Sequence, residues 1–434
     1  MPILTDRKYV ELHAEALAEF DDIQTALRDE RLQCLQDRRF YSIAGAQWED
    51  QLGEQFENKP KFEINKIHLS VIRIINEYRN NRITVDFVSK DGESNDSLSD
   101  ACDGMYRADE MDSQADEAYD NAFEEAVGGG FGAFRYYAEY EDDEDDENEQ
   151  QCIKIEPIYD ADTNVWFDLN AKRQDKSDAK RCFVLTPMSR KAYEAEYDDN
   201  PTSWPKSIQN YNFDWYKPDL IYVCELYVIE HVADKVLIFQ GITGEEERYR
   251  ESEISDEDRK ILKATGFKQV RTKPIKKQKC HKYIMSGGGV LEDCGFIAGK
   301  HIPIVPMYGK RWMVEGVERC MGHVRLAKDT QRLKNMQTSK LGEISALGSY
   351  KKPILHPEQV AGHKLMWEED NIKNYPYLLL NPIKDATGQM LPGGPVGYIE
   401  PPDIPPALAA LLQLTDQDIK ELTNRINDPI LAMY

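Results

Sequence analysis

The sequence lacks three features that would place it in common classes of protein. No run of 18 apolar residues occurs, so we expect no membrane-spanning helix. The eight cysteines include no CxxC pair, which favours buried free thiols over a disulfide framework or a zinc site. The closest pair, Cys280 and Cys294, flanks a predicted hairpin. The N-terminal residues lack the layout of a signal peptide, so we expect synthesis in a cytoplasm.

Catalytic signatures are missing as well. The eight histidines include no HExxH motif or other close metal-binding pair, and no GxSxG elbow occurs. The nearest match to a phosphate-binding loop is GFIAGKH at 295–301. It is one residue short between its glycines, and His301 stands where a magnesium-binding hydroxyl is needed. We therefore predict no catalytic residue, no cofactor and no metal site, and we interpret 295–301 as a turn between strands.

Basic residues are scarce in the part of the chain that carries most of the negative charge. The formal charge is −24, and residues 91–150 contribute −20 of it through 22 acidic and two basic residues, which leaves −4 for the rest. Eight of the ten residues at 141–150 are acidic, so this segment should stay solvated. It lacks the glycine and the ligand spacing of an EF-hand loop. Because charge must be read by region, the overall acidity does not exclude a nucleic-acid partner.

One basic stretch is predicted to be a strand. Residues 268–285 contain seven Lys or Arg and no acid. Alternate residues of a strand point to the same face of a sheet. Five basic side chains can therefore share one face of this strand: Arg271, Lys273, Lys277, Lys279 and His281.

The other basic stretch is predicted to be a long helix over 325–347. It carries Asp329 and Glu343 against five cations: Arg325, Lys328, Arg332, Lys334 and Lys340. The first three share one side because they lie three and four residues apart. Lys340 stays near that side, whereas Lys334 is rotated well away. The predicted apolar stripe is thin and consists of Leu326, Leu333, Met336 or Gln337, Leu341 and Ile344.

Hydrophobic periodicity along the whole chain predicts an α+β fold. Helices are predicted at 10–39, from about 65, at 97–127, at 254–264 and at 407–426. Strands are predicted at 82–88, 163–168, 181–186, 220–231 and 235–240, with a hairpin of 133–140 and 152–158 and an extended segment at 300–312. The Pro- and Gly-rich stretch 349–406 predicts short strands and turns. The expected inner stripe of 10–39 is Ala14, Leu17, Phe20, Ile23 and Leu27, and that of 97–127 begins with Leu98, Cys102 and Met105.

Seven segments, taken in order, resemble the portal proteins of short-tailed bacteriophages, especially the lambdoid Salmonella-phage type. The first two are DRRFYSIAGAQWEDQL and FEINKIHLSVIRIINEYRNNRITVDF, which span 37–87 with a short gap. The others are DKSDAKRCFVLTPMS (175–189), IAGKHIPIVPMYG (297–309), RLAKDTQRLKNM (325–336), KKPILHPEQVAG (351–362) and NYPYLLLN (374–381). Each segment alone is modestly specific, but together they cover essentially the whole chain.

This resemblance implies a phage portal fold with a wing, a helical stem and a small β-rich clip. The wing, made of helices and a mainly antiparallel sheet, would be 1–320. The stem helices would be 321–348 and 405–427, with the clip at 349–404 between them. Residues 428–434 would begin a tunnel loop, and the crown and barrel of the family would be absent from this chain.

The resemblance also implies a function that needs no catalysis. Portal proteins form a ring, expected here to be a dodecamer, at one capsid vertex of the virion, where DNA passes during packaging and ejection. The implied partners are other copies of the chain, double-stranded DNA, the large terminase, a tail or head-completion adaptor, a scaffolding protein and the major capsid protein. Assembly would take place in the host cytoplasm, without a membrane partner.

Two groups of site residues follow from the resemblance. The stem cations Arg325, Lys328, Arg332, Lys334 and Lys340 would either remain solvated or pair with acids of neighbouring copies, or else face DNA phosphates. The clip candidates for docking the motor or the tail are Lys351, Lys352, His356, Glu358, Lys364 and Trp367. A net acidic ring should let DNA slide, because tight phosphate binding would stall transport.

Two other classes of function compete with a DNA conduit. One is another virion assembly component, such as a scaffold or shell protein. The other is a packaging enzyme, a nuclease or NTPase, which would need a Walker motif or a defined cluster of metal-binding carboxylates. The sequence contains neither, so an enzyme is disfavoured.

Overall fold

The computed structural model describes residues 3–49, 51–88, 96–140, 151–205, 208, 211–241, 246–251, 254–255, 259, 261–262, 267–347, 351–373, 375–384, 389, 393–399 and 406–424. The chain divides into two compact units, one formed by residues 1–42 and 68–326 and the other by residues 43–67 and 327–434. Helices and antiparallel sheets occur together, which confirms the predicted α+β class.

Helix α1 (Arg7–Ser42) forms one wall of the core of the first unit. Its buried stripe includes Leu17, Phe20 and Ile23, as the periodicity predicted. The Phe20 ring lies 5.3 Å from that of Phe183 and 5.4 Å from that of Trp215, measured between centroids. Ala14 was wrongly placed in this stripe: it is exposed, and the buried face continues instead through Ala16.

The predicted single acidic helix at 97–127 is two helices. After α2 (Gln51–Gln55) and α3 (Lys66–Asn80), the chain forms α4 (Asp96–Asp112) and α5 (Ala115–Gly128). The break lies at Gln114, which adopts the left-handed conformation with φ 51°. Helix α5 buries a stripe of alanines and ends at the glycine run, as expected. The stripe predicted for the first half is wrong, because Leu98 and Met105 of α4 are exposed.

The larger sheet of the first unit has the strand order β3–β4–β5–β7–β8, with β6 paired to the outer part of β5 and every pairing antiparallel. Its strands are β3 (Val165–Phe167), β4 (Arg181–Ser189), β5 (Leu220–Gln240), β6 (Glu246–Arg250), β7 (Lys268–Ser286) and β8 (Val290–Ile297). The predicted strands at 220–231 and 235–240 are a single strand, because residues 232–234 continue to pair with β7. Helices α6 (Ala161–Asn164) and α7 (Arg190–Tyr197) flank β3 and β4.

A second sheet of the first unit has the order β2–β1–β9. The predicted hairpin is confirmed as β1 (Phe131–Tyr140) paired with β2 (Gln151–Ile158), and β1 also pairs with β9 (Ile304–Tyr308). A short hairpin of β10 (Lys310–Val314) and β11 (Val317–Met321) follows. The acidic segment 141–150 and most of the predicted helix 254–264 lie outside the described residues.

The strand predicted at 82–88 is wrong. These residues follow α3 with no assigned secondary structure. Alternation of apolar and polar residues needs a partner strand before it becomes a sheet, and no described strand pairs with this segment.

The long basic helix runs into the second unit. It is α8 (Val324–Leu347), and its residues from Ala327 onward belong to that unit. The unit also contains α9 (Lys364–Lys373), α10 (Pro406–Asn424) and a two-stranded sheet of β12 (Lys352–Ile354) and β13 (Gly397–Ile399). Helix α9 lies in the stretch that was predicted to hold only strands and turns. The predicted tunnel-loop start at 428–434 lies outside the described residues.

Candidate functional site

The start of α8 is a buried charge cluster within the first unit. The Arg325 guanidinium donates from Nη1 to Glu30 at 2.7 Å and from Nε to Asp37 at 2.6 Å. Both carboxylates lie on α1 and are buried. Burial opposes the charge of Arg325, but its hydrogen bonds to Asp37 and Glu30 outweigh burial and raise the guanidinium pKa above its ordinary value. The charge of Arg325 is therefore neutralised by two acids of its own chain.

Sequence reasoning missed these two partners. Glu30 and Asp37 are seven residues apart, which places them on one side of α1 two turns apart. Both occupy positions of the inner face together with Leu27 and Cys34, which are also buried. An acid at a position where the periodicity expects an apolar residue was the available signal, because a buried carboxylate needs a cationic partner.

Lys334 is the second neutralised cation of α8, and it lies in the second unit. Its side chain is 10 % exposed, and its Nζ atom lies 2.5 Å from Oδ1 of Asp416 on α10. Lys66 also reaches Asp416, at 3.0 Å. The hydrogen bonds from Lys334 and Lys66 hold the pKa of Asp416 well below its ordinary value. Lys334 is rotated away from the other cations, as predicted, and this rotation directs it to α10.

The inner face of α8 is polar, so the predicted apolar stripe is wrong at Leu326 and Leu333, which are 58 % and 39 % exposed. Gln337, one of the two alternatives predicted for the middle of the stripe, is buried. The face that is covered carries amides and a hydroxyl at intervals of four residues: Gln331, Asn335 and Ser339.

This polar row binds the main chain of residues 62–66, an irregular segment that ends at the first residue of α3. Ser339 Oγ accepts a hydrogen bond from the backbone N–H of Phe62 at 2.9 Å, and Asn335 Oδ1 accepts one from Ile64 at 3.1 Å. Gln331 accepts from the N–H of Lys66 at 3.2 Å and donates to the Ile64 carbonyl at 2.6 Å. Backbone N–H and C=O groups that a helix covers outside a sheet need such partners, which an apolar stripe could not supply. The four-residue spacing of the row was the sequence signal for it.

The three other predicted stem cations differ in exposure. Lys328 and Arg332 are half-buried, and each already interacts with other groups. Lys340 is exposed. The helix therefore presents Lys340 to solvent, whereas Arg325 and Lys334 are held in ion pairs within the chain.

The predicted clip residues differ in exposure. Four have exposed side chains: Lys351, His356, Glu358 and Lys364. Trp367 is half-buried, and its Nε1 atom donates to the carbonyl of Leu379 at 2.9 Å. Lys352 begins β12, and its side chain lies outside the described residues.

Residues 298–301 lie in a turn between strands, as predicted for 295–301, whereas residues 295–297 are the end of β8. Strand β8 ends at Ile297, Gly299 has a positive φ of 101°, and the next element is the strand β9. A phosphate loop instead leads into a helix whose first amides bind the anion. His301 lies in the turn with Nδ1 3.2 Å from the Ser177 carbonyl oxygen.

A cavity of about 530 Å³ in the first unit has charged lining groups that are already paired. Glu225 is one of its lining residues and is 3.2 Å from Arg135 Nη1 and 2.9 Å from Lys282 Nζ. The Tyr227 hydroxyl donates to the same carboxylate at 2.9 Å. These ion pairs stabilise the junction of the sheets and leave no nucleophile beside a free base among the lining residues.

In the part of the chain that the structure describes, one group of three side chains has the spacing of a metal site: Glu30, Cys34 and Cys320. The two sulfur atoms are 3.7 Å apart. The hydrogen bond with Cys320 and burial both raise the pKa of the Cys34 thiol. Arg325, Arg319 and the Cys320 N–H all donate to Glu30, so its carboxylate is already compensated by cationic donors. This arrangement is an ion-pair cluster that does not favour a further cation.

Helices long and apolar enough to cross a bilayer are absent from the described residues.

Residues 17–432 match the phage P22-like portal protein family. The chain is also 37 % identical over 423 residues to the portal protein of Acyrthosiphon pisum secondary endosymbiont phage 1. That match covers 95 % of this chain and 58 % of the relative, so the chain spans somewhat more than half the length of the curated relative that it matches.

Proposed function

Because the chain belongs to the phage P22-like portal protein family, we propose that it assembles into a closed ring at one vertex of the capsid and forms the channel through which DNA is packaged and ejected. The observation that carries this proposal is the family match over residues 17–432. The ring would be a dodecamer in the virion, assembled in the host cytoplasm. Its role is to conduct DNA, and we propose that the chain is not an enzyme.

Exposed leucines on α8 and α10 support contacts between copies in such a ring. Leu333, Leu411 and Leu414 all have side chains that are more than one third exposed in the single chain. Apolar surface of this kind gains roughly 25 cal/mol for each Å² that another copy covers. A cyclic ring joins two different surfaces of the same chain, so each copy is expected to leave apolar positions uncovered.

The parts of the chain would divide this work as the family resemblance implies. We assign the wing to 1–320, the stem helices to 321–348 and 405–427, and the clip to 349–404. The exposed clip residues Lys351, His356 and Lys364 suit docking of the large terminase and then of the tail or head-completion adaptor. Lys340 is the exposed stem cation that can meet an acid of the next copy or a DNA phosphate. Scaffolding protein and major capsid protein are the further partners in assembly.

A mass measurement combined with negative-stain imaging of the purified chain tests the ring. We expect a large oligomer with an axial hole, formed either directly or at high protein concentration. A chain that remains a dimer under all conditions would contradict the proposal.

A matched pair of substitutions tests the leucines. Leu414→Asp should shift assembly to a higher protein concentration, because it places a charge in a surface that another copy covers. Val10→Asp is the control, since Val10 and Leu414 are each 56 % exposed and both changes insert the same acid. Equal assembly of the two variants would remove α10 from the ring contact.

A further inference from the structure

The outer half of the long β5–β7 ribbon gathers cations on one face. In the antiparallel register Arg271 lies opposite Ile238, and Lys273 lies opposite Val236. On the other side of β5, Arg248 is also opposite Ile238. Directly opposed residues of an antiparallel pair point to the same face. Arg271 and Arg248 therefore lie in one row across the ribbon.

A second row repeats the pattern one pleat further along the ribbon. Here Val236 lies between Arg250 of β6 and Lys273 of β7. Successive rows on one face are about 6.6–6.8 Å apart, and strands two apart are separated by about 9.5 Å. Four cations are thus placed within an area of about 7 by 10 Å. Lys277 and Lys279 continue the same face along β7, opposite Val232 and Glu230. We call the set Arg248, Arg250, Arg271, Lys273, Lys277 and Lys279 the basic face.

Two members of the basic face are uncompensated. Arg271 and Lys273 have exposed side chains, and among the described residues no carboxylate pairs with either of them. The acids that share this face of β5 are Asp234, opposite Ile275, and Glu230, opposite Lys279. Like charges held close together without counter-ions destabilise a sheet. Arg271 and Lys273 therefore gain no stability from a carboxylate of the described residues, and their exposed charges suit an external polyanion.

The opposite face of the ribbon is apolar, and its packing stabilises the ribbon. Leu237 and Phe239 point away from the basic face and are buried. The Phe239 ring packs against Tyr249 of β6, with centroids 6.0 Å apart. One face of the three-stranded ribbon is thus a small apolar core, and Arg271 and Lys273 are displayed on the other face of this preformed surface.

We infer that the basic face binds the phosphate backbone of double-stranded DNA. One feature favours DNA over an acidic protein segment. DNA presents phosphates continuously along both strands, so cations spread along one face of a strand can meet them in any sequence and in many registers. In a chain of formal charge −24, a local basic surface of this kind is where a duplex can approach.

This inference concerns a surface of the first unit and is separate from the stem helices. It rests on the proposed function only in that a portal handles double-stranded DNA. It would add a DNA contact in the wing. The DNA candidates that were predicted from the sequence lie in the stem.

The test measures binding of a fluorescent random-sequence DNA duplex to the full chain at several salt concentrations. The variant is Arg271→Gln with Lys273→Gln and Lys279→Gln. The control is Arg28→Gln with Lys172→Gln and Lys191→Gln, which removes the same charge from exposed side chains elsewhere in the first unit. The salt dependence of log K falls by about 0.9 for each phosphate contact that is lost.

We expect the basic-face variant to bind DNA roughly tenfold or more weakly than the parent, with a salt slope smaller by about 3. The control should bind within about twofold of the parent with the same slope. Equal behaviour of variant and control would overturn the inference. Circular dichroism and melting of both variants verify that they fold.

A mass measurement on the same samples separates this inference from the proposed function. If rings form and DNA binding ignores the basic face, the inference fails and the ring proposal stands. If no rings form and the variant still loses DNA binding, the ring proposal fails and the inference stands. A variant that loses assembly but keeps its DNA affinity and slope would assign the basic face to an acidic protein surface, which also overturns the inference.

Discussion

Helix α8 and strand β7 are both basic stretches of an acidic chain, yet the protein uses their charges in opposite ways. On α8 the Arg325 guanidinium is held by Glu30 and Asp37, and the Lys334 ammonium by Asp416. On β7 the side chains of Arg271 and Lys273 are exposed and have no carboxylate partner among the described residues. Two cations of α8 thus stabilise the internal structure, whereas two cations in the outer half of β7 remain exposed.

The difference comes from what the rest of the chain places opposite each stretch. Acids distant in sequence, on α1 and α10, are brought to the helix by the fold. Opposite Arg271 and Lys273, β5 instead presents Ile238 and Val236. A run of basic residues therefore identifies a binding surface only after the positions of the acids are known.

The largest effect is expected at Arg325. Arg325→Gln leaves Glu30 and Asp37 buried without their cation, and removal of one partner of a buried pair costs about 3–5 kcal/mol. We expect the free energy of unfolding to fall by about this amount in urea denaturation followed by circular dichroism.

Arg271→Gln is the matched control for that experiment, since it makes the same chemical change on the strand. Its effect should stay within about 0.5 kcal/mol because the side chain is exposed. If both variants lost equal stability, the contrast between helix and strand would be wrong.

A smaller loss is expected from the polar row of α8. Asn335→Leu removes the acceptor for the Ile64 N–H and the donor that reaches Gln47 at 2.6 Å. A buried donor without a partner costs about 1–3 kcal/mol. Denaturation of the variant should show this loss, even though leucine is the more apolar residue. A gain in stability would mean that the inner face of α8 tolerates the apolar stripe that periodicity predicted.

Periodicity was sufficient where an element packs against apolar side chains. It predicted α1 because Leu17, Phe20 and Ile23 meet the aromatic core, and it predicted β7 and the β1–β2 hairpin. It also predicted the helix α8, but it failed for the inner face of that helix because this face binds the backbone of residues 62–66, which requires amides. It also failed at 82–88, where alternation is present but no described strand pairs with it.

The charge partners could not be predicted from spacing in the sequence. Arg325 and Glu30 are 295 residues apart, and Lys334 and Asp416 are 82 apart. Which cation meets which acid depends on the packing of α1 and α10.

The break at Gln114 could not be predicted from the sequence either, because no Gly or Pro marks it. Neighbouring contacts must favour a left-handed residue there over a continuous helix.

Acid should weaken the Lys334 pair selectively. The folded-state pKa of Asp416 lies below its unfolded value of about 3.9. Its contribution to stability is therefore fully present above that unfolded pKa and is lost as the pH falls through the folded pKa. We expect Asp416→Asn to cost about 1 kcal/mol near pH 7 and progressively less below about pH 4. Unfolding of parent and variant across this range measures the difference, and a constant gap down to pH 2 would contradict the assignment.

The smallest effect is expected at Lys340. This substitution tests whether the contribution of a cation to stability depends on its exposure or on its position in α8. Lys340 lies on α8 but is exposed, as Arg271 and Lys273 are on β7. Surface substitutions of this kind usually change stability by less than about 0.5 kcal/mol. Lys340→Gln should therefore unfold like Arg271→Gln and unlike Arg325→Gln under the same conditions. Lys334→Gln completes the set, because Lys334 is a lysine of the same helix whose ammonium is buried against Asp416. If Lys340→Gln destabilised the chain as much as Lys334→Gln, a charge on α8 would contribute to stability whether or not it has a partner. The difference between α8 and β7 would then depend on whether the cation lies in a helix or in a strand.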